Sequence, residues 1–107
     1  MQVVVFEVTV KPETGQRYFD LAAELRPELE KIDGFISVER FESLVTPNKY
    51  VSLSFWRDEE AVLRWRKHGA HLTAQMLGKT EIFADYRISV AETRRQYTMA
   101  ERVSTTF

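Results

Sequence analysis

Residues 35–56 read FISVERFESLVTPNKYVSLSFW, and this stretch decides the fold. Phe35 to Leu44 alternates in the way a strand does. Thr46-Pro47-Asn48-Lys49 is turn chemistry, with Pro47 presetting its own dihedral angle. Tyr50 to Trp56 is a second strand, so the two read as a hairpin. One face of that second strand carries Val51, Leu53 and Phe55, and the other carries Tyr50, Ser52, Ser54 and Trp56.

Upstream, the period changes to three and four residues. Tyr18, Leu21, Ala22, Leu25, Leu29 and Ile32 form one side of a helix over Arg17 to Lys31. Thr14 is placed to cap it and Gly34 to end it in a left-handed conformation. Pro27 predicts a kink or a division near Leu25 and Arg26. Further back, Val3 to Val10 is β-branched and apolar on both faces. Downstream, Asp58 caps a second helix, with Glu59 and Glu60 where the helix dipole favours acids. Ala61, Val62, Trp65, Leu72 and Met76 give its apolar side; Gly69 is a point of interruption and Gly78 an end. Thr80 to Val90 alternates as the last strand.

The order β-α-β-β-α-β is the ferredoxin-like split βαβ arrangement, an α+β fold with one antiparallel sheet and two helices on one face. The domain is expected over residues 1–92, with 93–107 a C-terminal tail or arm. Two helices roof one face only, yet the strands are apolar on both. Depending on register, the second face exposes a set such as Val3, Val5, Phe41, Tyr50, Trp56 and Phe83. A patch that large predicts a homodimer in which two sheets pack face to face, a dimeric α/β barrel.

At 107 residues there is room for one domain. Fifteen basic against 16 acidic residues give a formal net charge of −1, which offers no positive field for nucleic acid or an anionic membrane. The absence of cysteine excludes thiolate metal sites and disulfides within the chain. No metal and no cofactor are expected. The N-terminus MQVVVFEVTV has no early basic cluster and meets Glu7 too soon for a signal peptide, so the expected location is cytoplasmic. No glycine-rich phosphate loop is present, and no carboxylate pair has a spacing that demands acid–base chemistry.

The stretch 55–75, FWRDEEAVLRWRKHGAHLTAQ, holds both tryptophans, Trp56 and Trp65, and both histidines, His68 and His71. Gly34-Phe35, Ser54-Phe55-Trp56, Asp58-Glu59-Glu60-Ala61, Trp65, His71 and the long last strand occur here in order. In these features the chain resembles the antibiotic biosynthesis monooxygenase family over about residues 3 to 92. The resemblance implies a ferredoxin-like subunit, a tight dimer and a pocket between helices and sheet. It further implies oxidation of an aromatic or quinol substrate by dioxygen without a cofactor in some members, and opening of the haem ring in others.

The first of these activities needs a base, a dry aromatic-walled pocket and dipoles for a developing anion. A histidine is suited to take a phenol proton near neutral pH. His71 and His68 are therefore the candidate catalytic residues, with Trp65, Trp56, Phe35, Phe55 and Tyr86 as candidate walls for a small hydrophobic or aromatic partner. In an unbroken helix His68 lies about 60° from Trp65 and His71 about 120° from it, so continuity favours His68. A break at Gly69 would turn His71 inward, and the resemblance favours His71. The haem branch resembles a pattern of Asn on the first strand, Trp on the second helix and an axial His three turns on. Trp65 fits, but the first strand has no Asn and Gln75 falls at the axial position. Each candidate also has an ordinary role: Trp65 in the core, Trp56 at a dimer contact, the histidines at the surface or at a cap. A non-catalytic, small-molecule-binding or regulatory module is the alternative reading.

Overall fold

The structure, a computed structural model, describes residues 1–101. Its elements are β1 (Gln2–Val10), α1 (Gly15–Glu30), β2 (Phe35–Glu42), β3 (Lys49–Trp56), α2 (Glu59–Arg66), α3 (Gly69–Leu77) and β4 (Phe83–Glu92), with a π-helical turn at Gly78–Ile82. The four strands form one antiparallel sheet in the order β2-β3-β1-β4. This is the ferredoxin-like α+β fold, with the second helical region split in two. Of the expected tail, residues 93–98 carry no helix or strand, residues 99–101 form a turn, and 102–107 lie outside the described residues.

Register assigns every side chain to a face. Val4, Phe6, Val8 and Val10 point toward the helices, and so do their partners Tyr50, Ser52, Ser54 and Trp56 on β3 and Tyr86, Ile88 and Val90 on β4. Phe35, Val38 and Arg40 join them from β2. Tyr50, Trp56 and Phe83 therefore belong to the helix face, not to the outer face. The outer face keeps Val3, Val5 and Phe41 and gains Val51, Leu53 and Phe55. Glu7 closes one side of it, bonded to Arg87 at 2.7 Å and 3.1 Å and paired with Lys49 at 3.4 Å.

Two buried clusters hold the helix face. One joins Val8, Val10, Tyr18 and Ile82; the other joins Leu29, Trp56, Ala61 and Val62. Several local expectations are revised. α1 runs through Pro27 as one element. The hydrogen bond that Pro27 cannot make would have gone to Ala23; both residues are exposed, so the missing rung lies on the solvent side of the helix. Thr14 precedes α1 but caps none of its amides; its hydroxyl donates to Lys11 O at 2.7 Å and reaches Ile82 O at 3.0 Å, tying the helix start to the π turn. Thr80 to Ile82 sit in that π turn, so the last strand starts at Phe83 and continues to Glu92. β2 stops at Glu42, because the Ser43 hydroxyl accepts from the Val45 and Thr46 amides and leads the chain out of the ladder.

Gly34 does adopt a left-handed φ of +94°, in the turn that follows α1. A Cβ there would lie 2.6 Å from that of Ala61, so glycine is needed for close approach as well as for conformation. Arg57 spans the same junction, gripping both Asp33 oxygens at 3.1 Å and 3.0 Å and Asp58 at 2.9 Å. Its guanidinium holds both carboxyls below the usual carboxylate range. Asp58 in turn accepts from the Ala61 amide at 2.9 Å, the expected cap.

Candidate functional site

The decisive local event is the break between α2 and α3. Lys67 ends α2, and His68 takes an extended conformation with ψ 134°. The Nδ1 atom of His68 accepts from the Ala70 amide at 3.1 Å and so caps α3. Nothing lies within 4 Å of a Cβ built on Gly69, so the break comes from the histidine cap and not from a steric need for glycine. The new helix direction brings His71 onto Trp65, with ring centroids 4.9 Å apart and planes within 25°. His68 also meets Trp65, at 5.5 Å. Its Nε2 faces Glu28 at 3.7 Å, on the flank of α1.

Between sheet and helices lies a cavity of about 410 Å³, within the size range of small-molecule sites. Its origin is legible along β3. Tyr50 and Trp56 are large, but the two helix-facing residues between them are Ser52 and Ser54. From Tyr50 to Trp56 the strand extends roughly 20 Å, so two short side chains leave a long gap in the layer. Cross-strand neighbours continue the floor: Val38, Val4 and Val90 beside Ser54, and Arg40, Phe6 and Ile88 beside Ser52. Ile88 and Val90 are 44% and 50% exposed, which marks the open side along β4. Tyr18, Leu21 and Leu25 of α1 and Trp65, His71 and Gln75 of α2 and α3 form the roof.

The candidate residues are distributed unequally about this space. His71, Trp65 and Trp56 line it. His68 does not line it and serves as a cap. Phe35 stands behind Trp56, with centroids 5.3 Å apart. Tyr86 packs on Phe6 and Phe83 without lining the cavity. Phe55 lies on the opposite face of the sheet, because it pairs with Val3. Gln75 does reach the cavity, but its amide offers no ring nitrogen to an iron. The axial position expected from the haem branch is therefore not filled by a histidine.

His71 is the chemically distinctive residue. Burial pushes its imidazole below the ordinary histidine pKa, with the Trp65 and Arg66 carbonyls at the end of α2 acting the other way and His68 and Arg66 reinforcing the shift. Its Nδ1 atom is sealed from solvent, and the backbone carbonyls of Trp65 and Arg66 are the acceptors that act on the ring. At neutral pH the ring is uncharged and able to accept a proton.

Sequence reasoning missed Tyr18 and Arg40 as site residues. Tyr18 is 5% exposed, and its hydroxyl accepts from Arg40 Nε at 2.9 Å. The guanidinium carbon also stands 5.2 Å from the ring centroid. Burial raises the Tyr18 pKa against the opposing pull of Arg40, so the phenol keeps its proton. Alternation along β2 places Arg40 on the face of Val38, but its pairing with a helix residue required the tertiary contact.

Comparison with known proteins places this geometry. Residues 1–76 match the family model described as antibiotic biosynthesis monooxygenase. The chain is 42% identical over 92 residues to a protein of Pyricularia oryzae named jasmonate monooxygenase ABM, a match covering 86% of this chain. It spans only 43% of that relative's length. Among solved structures, a conserved protein from Methanosarcina mazei Go1 aligns with a TM-score of 0.80 at 23% identity, covering 87% of this chain and 92% of the other. SnoaB, a cofactor-independent oxygenase from Streptomyces nogalater, aligns with a TM-score of 0.76 at 16% identity, covering 89% and 94%. The family match begins in β1 and ends within α3, and so takes in the floor strands β1 to β3 and the helices that roof the cavity: the chain belongs to the antibiotic biosynthesis monooxygenase family.

Proposed function

We propose that this cavity is the site of a cofactor-independent monooxygenase that oxidises a small aromatic or quinol substrate with dioxygen. The observation that carries the reading is a half-buried His71, its pKa lowered by desolvation, stacked on Trp65 at the wall of a largely apolar cavity. His71 is the base. It takes the phenol proton, and the resulting anion is electron-rich enough to reduce dioxygen by one electron. Recombination of the two radicals forms a carbon–oxygen bond. Loss of water from the hydroperoxide then leaves a carbonyl. One oxygen atom stays, the other departs as water, and the substrate supplies all four electrons. Trp65 and Trp56 form the walls for a flat ring. Support also comes from the relative named a monooxygenase and from the cofactor-independent oxygenase that shares the fold. The test is oxygen uptake by metal-free, flavin-free protein against a panel of quinols. One dioxygen consumed per substrate oxidised is the expected result; no uptake across the panel overturns the reading.

A binding-only role draws on one feature: among the described residues no carboxylate acts on His71 to orient it, as the third member of a triad would. It predicts saturable binding with the ligand recovered unchanged.

Self-association is part of the same proposal. Val3, Val5, Phe41, Val51, Leu53 and Phe55 form a contiguous apolar strip on the face that no helix covers. A second copy packed on this strip would complete a dimeric barrel. Sedimentation equilibrium at micromolar concentration is expected to give twice the chain mass, and Leu53→Asp to give the single chain mass. A wild-type monomer under those conditions contradicts the dimer.

A further inference from the structure

The charges at the cavity are all of one sign. Its lining includes Arg26, Arg40 and Arg66 and no aspartate or glutamate, in a chain whose net charge is −1. Arg26 is engaged by Glu30 at 2.8 Å. Arg40 has no carboxylate within ion-pair distance among the described residues, and its one hydrogen-bonding partner is the Tyr18 hydroxyl. That hydroxyl uses a lone pair to accept from Arg40, and no acceptor for its own proton lies among the described residues. A buried phenol with an unused donor is a rarity in folded proteins. Here it lines a cavity beside a guanidinium that still has free N–H groups.

We infer that the cavity takes an amphipathic carboxylic acid, its carboxylate docked between the Tyr18 hydroxyl and the Arg40 guanidinium and its apolar body lying along the Ser52–Ser54 floor toward Trp56 and Trp65. A carboxylate matches both donors: one oxygen accepts the phenol O–H, and the planar guanidinium serves the other. Tyr18 belongs to one buried cluster and Trp56 to the other, so anchor and aromatic wall stand at separate ends of the space. Because Arg40 is itself exposed, its contribution is screened by salt.

This inference names the substrate class of the cavity proposed above as the oxygenation site and rests on that cavity being the binding site. Its test reads binding alone, so it can fail or succeed independently of turnover. The probes are 1-naphthylacetate and its neutral counterpart 1-naphthylacetamide, titrated calorimetrically at pH 7.5. The wild type is expected to bind the acid about tenfold more tightly than the amide, in keeping with one charge-assisted pair at a partly solvated site. Arg40→Gln is expected, by weakening the acid far more than the neutral amide, to abolish that preference. Tyr18→Phe should reduce it severalfold, and 0.5 M NaCl should weaken only the acid. Equal affinity for acid and amide in the wild type overturns the inference. So does loss of the preference in Arg66→Gln with its retention in Arg40→Gln, which would put the anion at the other end. Acid-selective binding without any oxygen uptake would leave the ligand class standing and remove the oxygenase.

Discussion

His71→Ala is expected to slow oxygen consumption by about 10²- to 10⁴-fold, the usual worth of a positioned general base. His68→Ala is expected to slow it far less than His71→Ala, because His68 does not reach the cavity and acts on His71 only through the cap of α3. Its cost is one of stability, on the order of 1 kcal/mol for a lost helix cap. Steady-state oxygen-electrode rates on both variants check the assignment, and the reverse ranking would exchange the two roles. The pH profile supplies an independent reading. Burial depresses the His71 pKa below its ordinary 6.5, so the base form persists into mildly acidic solution and activity should fall only below that value. The same shift acts on folding. Between the folded and unfolded pKa values the unfolded chain binds a proton that the native chain does not. Stability from this residue is therefore complete above pH 6.5 and is lost as pH falls toward the lower native value. In His71→Gln that part of the pH dependence should vanish from urea midpoints.

Trp56→Ala is expected to destabilise the protein by about 3–5 kcal/mol, the range for deleting a large aromatic from a core. Trp56 is 2% exposed, packs edge-on to Phe35 and anchors one buried cluster. Its indole N–H donates to the Ser54 hydroxyl at 2.9 Å, in a place where Ser54 is itself buried. The alanine variant enlarges the cavity and strips Ser54 of that donor. Urea unfolding followed by circular dichroism measures the loss, and a change below about 1 kcal/mol would mean the site collapses around the gap. Trp56→Phe keeps most of the packing and should lose far less, which separates volume from hydrogen bonding.

The β-α-β-β-α-β order was open to reading because each element has its own period and its own stop signal. The Asp58 cap and the left-handed Gly34 are local facts, written in adjacent residues. Features that depend on distant partners escaped. Pro27 carries the signal of a broken helix, yet it falls on the exposed side of α1 and the helix continues through it. Thr80 to Ile82 share the alternation of β4, yet the chain spends them in a π turn joined to Thr14. Trp56, Tyr50 and Phe83 could be placed on the correct side of the sheet only once register was known. The site divides in the same way. Trp65 and His71 announced themselves as rare residue types in a short stretch, and the histidine that caps a helix shares that stretch by proximity alone. Tyr18 and Arg40 are 22 positions apart on different elements, and nothing in the spacing joins them.

The gap above Ser52 and Ser54 also separates two kinds of inheritance. How much room a ligand has is written in two hydroxymethyl groups on a central strand, whereas His71, the base proposed above, rides on a helix after the hairpin. A relative could exchange those serines for bulkier neighbours and accept a slimmer molecule with its reactive apparatus untouched. Divergence in what such proteins hold therefore needs no change on the helix that carries His71.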